Sequence, residues 1–311
     1  MTDPLVPFLE RRGAAVLDGG LATELECRGL ALDDPLWSAR ALIDAPAIVS
    51  AVHRDYLEAG ADVVTTATYQ ATVEGLIALG LAAGEARRVL LSGVDLACRE
   101  RDAFWERSTQ NGARARPLVA ASIGSYGAFL ADGSEYRGDY GLDVDALAAW
   151  HRPRVRIVEE GGADLVAFET IPSLVEAAAI VRLLAEIDGP PAWIAFQARH
   201  AEALADGSPL EAAVALAERC PRVVAVGVNC VAPALVGPLL ARCASSTGKA
   251  LVAYPNRGDA WDAATRLWIP GGAHPAFGEL AQAWRAAGAR LIGGCCRTTP
   301  ADIRAIAAAL E

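Results

Sequence analysis

Short apolar runs recur from one end of this 311-residue chain to the other, with helical patterns between them. Eight are read as strands, at residues 14–20, 62–69, 117–124, 164–170, 192–198, 223–230, 250–256 and 290–296. They are rich in Val, Ile and Ala without a polar alternation, which is the pattern of strands buried on both faces of a parallel sheet. Three junctions share one form: Gly60-Ala-Asp-Val-Val64, Gly162-Ala-Asp-Leu-Val166 and Gly288-Ala-Arg-Leu-Ile292. In each, glycine ends a helix and a buried strand follows, as in a repeating βα unit. Eight such units fit an α/β fold of one kind, a single-domain (β/α)8 TIM barrel of ~250 residues plus insertions, spanning 1–311. The alternative is an open doubly wound sheet. Against it, the first strand is followed only by Asp18-Gly19-Gly20, without the third glycine of a dinucleotide-binding turn.

Helix starts punctuate the pattern. Ser173-Leu-Val-Glu176 and Ser208-Pro-Leu-Glu211 read as capping boxes. Thr299-Pro-Ala-Asp302 opens the last helix with an acid in its first turn, and Asp44-Ala-Pro46 opens the helix that runs to Gly60. The polar stretch 128–145 follows the third strand and reads as a long βα loop, of the kind that builds the active-site face of a barrel.

The net charge of −10, with no Lys/Arg-rich run, gives no electrostatic reason to expect nucleic acid or an anionic membrane as partner. No apolar run is long enough to span a bilayer. The first residues lack a basic start followed by an apolar stretch, so a cytoplasmic location is expected. The seven cysteines are an odd number in a long chain, which argues against a disulfide framework. Cys27, Cys98, Cys220 and Cys243 lie in helix-like or connecting segments and read as small hydrophobes.

The other three are placed differently. Cys230 closes the run 223–230, and Cys295-Cys296 follow Leu291-Ile-Gly-Gly294. Three thiols therefore stand at the carboxyl ends of two strands. Three thiolates can hold Zn2+ and leave a fourth position open, as in a catalytic site; a structural site usually has four protein ligands and CxxC spacing. Adjacent residues of a regular strand point to opposite faces. Cys295 and Cys296 can share a metal only if the backbone leaves strand geometry, and Gly293 and Gly294 are expected to supply that freedom. Alternatively, the pair simply packs a glycine-rich turn. Three thiolates on Zn2+ leave a net charge of −1, which suits activation of a substrate thiol better than generation of hydroxide.

The remaining strand ends are polar. Asp18 either caps the following helix or contacts a ligand. Glu169 follows a wholly apolar run, where an unpaired carboxylate is costly, and it suits an amino group on the thiol's carrier. Gly19, Thr170 and Asn229 stand beside these groups as substrate-binding candidates. Tyr69, Tyr126 and Tyr254 are placed to face a cationic donor, or else to pack.

These residues resemble the zinc-dependent homocysteine S-methyltransferase family. The resemblance rests on Leu17-Asp-Gly-Gly20, Thr68-Tyr-Gln-Ala-Thr72, Gly124-Ser-Tyr-Gly127, Tyr136-Arg-Gly-Asp-Tyr-Gly141, Phe168-Glu-Thr-Ile-Pro172, Gly227-Val-Asn-Cys230, Tyr254-Pro-Asn256 and Gly293-Gly-Cys-Cys-Arg-Thr298, in order along nearly the whole chain. It implies a (β/α)8 barrel, zinc held by Cys230, Cys295 and Cys296, and an acceptor amino group near Asp18 and Glu169. It also implies the branch that uses S-methylmethionine or S-adenosylmethionine, with homocysteine and a sulfonium donor as the small-molecule partners. One departure is Phe196-Gln-Ala-Arg199, where a Ser/Thr-Cys-Lys-like sequence is expected. Two alternatives stay open: methylation of selenocysteine or another small thiol, and a non-catalytic barrel with structural zinc.

Overall fold

The computed structural model describes residues 3–32, 36–108, 114–262, 267–269, 271 and 274–311. Eight parallel strands form one sheet: β1 (Ala15–Val16), β2 (Val63–Thr65), β3 (Leu118–Gly124), β4 (Leu165–Ile171), β5 (Ala192–Phe196), β6 (Val223–Asn229), β7 (Ala250–Tyr254) and β8 (Ala289–Ile292). They pair in the order β1-β8-β7-β6-β5-β4-β3-β2, and a parallel bridge between Leu17 and Val63 joins the two ends. The sheet is a nearly closed (β/α)8 barrel, as the alternation of runs predicts.

The lack of polar alternation has a direct explanation. Val16, Val64, Val119, Val166, Ile194 and Val228 belong to an outer core shared with the helices, whereas Ala15, Val63, Leu118, Leu165, Trp193 and Leu291 belong to an inner one. Apart from the exposed Arg290 near the start of β8, both faces of the strands are largely buried, so both are apolar. Leu5 and Phe8, at the start of the helix Val6–Arg12, join the inner cluster. Nothing in the strand periodicity announces that contribution.

Apart from β3 and β4, the strands stop short of the carboxyl ends of their apolar runs. Residues such as Asp18, Gln197 and Cys230 lie just beyond strands that end at Val16, Phe196 and Asn229. The polar ends turn out of the ladder to build the mouth. The three shared junctions behave as read: Gly60, Gly162 and Gly288 have φ of 111°, 81° and 104°, conformations that favour glycine.

The helix starts need two corrections. Ser173 accepts from the Glu176 N–H at 3.1 Å, but the Glu176 carboxylate turns into the core to His151 and the Tyr126 N–H rather than back to the cap. The helix Leu210–Glu218 has Pro209 at its cap; Ser208 donates to Asp206 instead. Thr299 and Asp302 form a complete capping box, and Pro46 opens the helix Pro46–Ala59. Among the described residues, no helix is long and apolar enough to cross a membrane.

Candidate metal centre

Cys230 follows β6 in a left-handed conformation, φ 52°, and its N–H donates to the Tyr254 carbonyl at 3.2 Å. Thr170, at the end of β4, is also left-handed at φ 58°. Asn229 locks the two strand ends together. Its Oδ1 accepts from the Thr170 N–H at 2.8 Å and its Nδ2 donates to the Thr170 hydroxyl at 2.9 Å. Two non-glycine residues held in this sparsely populated region mark a site whose surroundings fix its geometry.

Cys295 and Cys296 lie beyond β8 in a turn pinned on several sides. The Gly294 N–H donates to the Asp18 carbonyl at 3.0 Å, the Cys295 N–H to Pro255 at 2.7 Å, and the Arg257 N–H to Cys296 at 3.0 Å. The glycines matter for a different reason than backbone freedom. Neither Gly293 nor Gly294 has a positive φ. A Cβ on Gly293 would lie 2.6 Å from the Leu17 Cβ and 2.7 Å from the Asp18 carbonyl, and one on Gly294 would strike Thr298. The first strand passes too close for any side chain.

The result is a cluster. Cys230 Sγ lies 3.8 Å from Cys296 Sγ, Cys296 Sγ lies 3.9 Å from Cys295 Sγ, and all three sulfurs lie within 4.8 Å of one another. Thiolates bound at ~2.3 Å around a tetrahedral zinc would stand about 3.8 Å apart. The donor set and its spacing fit a metal ion with three protein ligands. The thiol groups also share protons unequally. Cys230 is held well below its ordinary value, first by hydrogen bonds from Cys295 and Cys296 and further by Tyr136, whose hydroxyl is 3.6 Å away. Acting as a donor to Cys230 pushes Cys295 up.

All three cysteines line one cleft at the barrel mouth, and Asp18 and Glu169 line it with them. The profile of the family described as homocysteine S-methyltransferase matches residues 15–310. The chain belongs to that family. It is 46% identical to homocysteine S-methyltransferase of Escherichia coli (strain K12) over 307 residues, covering 98% of each chain. It is 44% identical to homocysteine S-methyltransferase YbgG of Bacillus subtilis (strain 168), covering 98% of this chain and 97% of that one. Selenocysteine Se-methyltransferase of Brassica oleracea var. italica is 43% identical, over 96% of this chain and 89% of its own length. Among solved structures, the metallated form of the homocysteine methyltransferase MmuM from Escherichia coli superposes with a TM-score of 0.88 at 43% identity, covering 98% of this chain and 99% of that one.

Within this methyltransferase, the carboxyl groups of the cleft have an unusual environment. Asp18 does not cap the following helix. Its Oδ2 accepts from the Thr65 N–H at 2.7 Å, and the Thr65 hydroxyl donates to it as well. Burial pushes Asp18 well up; the Thr65 N–H opposes this and the neighbouring Glu169 adds to it. Burial likewise pushes Glu169 up to about 7, against hydrogen bonds from Ser122 and Tyr254. Glu135 is pushed up to about 7 in the same way. Among the described residues, no cationic side chain pairs with Asp18, Glu135 or Glu169. These three carboxyl groups thus stand in the cleft without protein cations, an environment that suits a cationic group.

Gly19, Thr170, Asn229 and Tyr254 also line the cleft. Gly19 has no room for a side chain, since a Cβ would meet Thr298 and Tyr56 at 2.9 Å. The Tyr254 hydroxyl accepts from Trp193 Nε1 at 3.0 Å and is hydrogen-bonded to Glu169, so the ring is fixed. Tyr126 is placed elsewhere. It packs with Phe129, Tyr140 and Trp150 at centroid distances of 5.7, 5.3 and 4.9 Å and is not part of the cleft wall. The long loop brings Glu135 and Tyr136 to the cysteines instead, through a short 3-10 turn at Ser134–Tyr136. The motif beginning at Tyr136 marks this loop in the sequence, but neither residue's chemical role is legible there. Trp37, Glu26 and Leu32 also line the mouth, and no motif pointed to them.

Proposed function

We propose that the protein transfers a methyl group from a sulfonium donor, S-methylmethionine or S-adenosylmethionine, to the thiol of homocysteine, giving methionine. The observation that carries the reading is the three-sulfur cluster opening onto a cleft of unpaired carboxyl groups. Cys230, Cys295 and Cys296 would hold the metal, and soft thiolate donors favour zinc. Bound there, the ion supplies a Lewis acid that lowers the pKa of a substrate thiol.

The chain's own residues do the rest. Asp18 and Glu169 hold the ammonium of homocysteine; Gly19, Thr170 and Tyr254 shape the same wall. Asn229, with both amide atoms engaged by Thr170, positions the Cys230 turn. The thiol proton leaves to solvent. A sulfur electron pair then forms the new S–CH3 bond while the donor's C–S bond breaks. That bond's pair stays on the donor sulfur, turning a sulfonium cation into a neutral thioether. No general acid is needed, so alignment is the main task.

Two features count against a merely structural metal: three ligands rather than four among the described residues, and their place in the cleft wall. Selenocysteine is the second acceptor to test, given the 43% identical selenocysteine methyltransferase. The decisive assay gives zinc-loaded protein homocysteine with either donor, and selenocysteine in parallel. Methionine is the expected product, and Cys230→Ser should lose both zinc and turnover. Methionine from neither donor, or a Cys230→Ser variant with full zinc and full rate, would overturn the reading.

A further inference from the structure

The carboxyl groups deep in the cleft carry no protein cation, yet one cleft-lining acid does. Glu26, on the helix Leu21–Cys27, faces Arg297, with Oε2 and NH1 3.4 Å apart. Among the described residues this is the one ion pair that includes a side chain of the cleft wall. Arg297 directly follows the cysteine pair in a left-handed conformation, φ 68°, and its N–H donates to the Thr23 hydroxyl at 2.8 Å. Its backbone is thus tied to the helix that carries Glu26, one turn away.

The guanidinium is held loosely. Its contact with Glu26 is long, and its Nε, 3.5 Å from Asp259, is buried and has no hydrogen-bond partner among the described residues. Asp259 does not depend on it, because Arg257 donates to that carboxylate at 2.6 and 3.1 Å. A pair of opposite charges at 3.4 Å, with an unused donor, can open to admit a zwitterion between them. Both sulfonium donors end in an α-ammonium and an α-carboxylate. With Asp18 and Glu169 assigned to the acceptor, this rim is where a second amino-acid end meets complementary charge beside the cysteines.

We propose that Glu26 and Arg297 form the recognition clamp for the amino-acid end of the methyl donor, Glu26 taking its ammonium and Arg297 its carboxylate. The proposal rests on the methyl-transfer reading for the donor's identity, but its test does not require turnover. The measurement is calorimetric binding of S-methylmethionine and of dimethylsulfoniopropionate, which keeps the carboxylate and lacks the ammonium, to zinc-loaded wild type, E26Q and R297K. Initial rates with each substrate varied in turn run alongside. E26Q should weaken S-methylmethionine binding roughly tenfold or more and leave dimethylsulfoniopropionate unchanged. R297K, with its zinc content verified, should weaken both, since a bidentate fork becomes a point charge. KM for homocysteine should not move in E26Q.

If S-methylmethionine binds equally well to wild type and E26Q, the clamp is wrong, even with methionine being formed. A rise in the homocysteine KM alone would overturn it too, by assigning the pair to the acceptor. Conversely, E26Q-sensitive donor binding without methionine formation would support the clamp and overturn the transfer reading.

Discussion

The two ends of the barrel treat buried carboxylates in opposite ways. At the amino ends of the strands, the aspartates of the repeated Gly-Ala-Asp junctions are fully partnered. Asp62 accepts from the Val16 N–H at 2.8 Å and pairs with Arg12. Asp164 accepts from the Val119 N–H at 2.8 Å and pairs with Arg101 at 2.5 Å. Each fastens the start of its own strand to the preceding strand of the ring. At the carboxyl ends, Asp18 and Glu169 are more enclosed than the half-buried Asp164, yet among the described residues they receive only neutral donors, Thr65, Ser122 and Tyr254. One end has its charges neutralised by the fold, while the other leaves charge for a ligand to neutralise. The stable face and the reactive face of this barrel differ in that one respect before any chemistry is considered.

Breaking the lower end should give the largest effect. Arg101→Ala leaves Asp164 without its cation and is expected to cost about 3–5 kcal/mol in urea unfolding. Turnover per folded molecule should be retained, because Arg101 lies outside the cleft. A cost below ~1 kcal/mol would mean that the paired end is not what secures the ring.

The same kind of change at the upper end should do the reverse. Glu169→Gln removes a carboxyl that burial holds at about 7. A raised folded-state value means that the folded protein keeps its proton longer than the unfolded chain. Stability is therefore full below the unfolded value near 4.5 and is lost as pH rises through 7. At pH 8 the glutamine variant should be more stable by about 3 kcal/mol, with kcat/KM for homocysteine lowered roughly 100-fold. A variant both unstable and active would break the contrast.

The unpaired carboxyl also predicts a pH profile. In the proposed function Glu169 ionises to hold an ammonium, so affinity for a thiol-free amino acid such as norleucine should rise about tenfold between pH 6 and 8. Using a ligand without a thiol keeps the ligand's own thiol titration out of the measurement. Flat affinity over that window would remove Glu169 from the ammonium site.

The smallest effect sharpens the comparison with a buried group that has no partner at either end. His53 is fully buried in the helix Pro46–Ala59, and neither ring nitrogen has a hydrogen-bond partner among the described residues; burial lowers it to about 4. With the folded value depressed, stability is full above 6.5 and falls as pH drops from there toward 4. His53→Leu should abolish a loss of about 1 kcal/mol between pH 7 and 5.5.

Much of this was legible in the chain itself. A fold whose strands are buried on both faces must repeat apolar runs, so the eight strands and their glycine junctions could be counted directly. The three cysteines of the cluster could be found because they stand at the ends of such runs. What the sequence alone could not decide depends on distance across the ring. That Gly293 is required by the approach of Leu17, that Tyr136 reaches Cys230 from a loop 94 residues earlier, and that Tyr126 packs outward all follow from how the loops fold over the mouth. Asp18 could equally have capped a helix; only the position of Thr65 on the next strand settled its partner. Periodicity records which faces are buried, because burial acts on every residue of an element. The meeting of side chains from distant strand ends leaves no periodic trace, and only the closed ring brings them together.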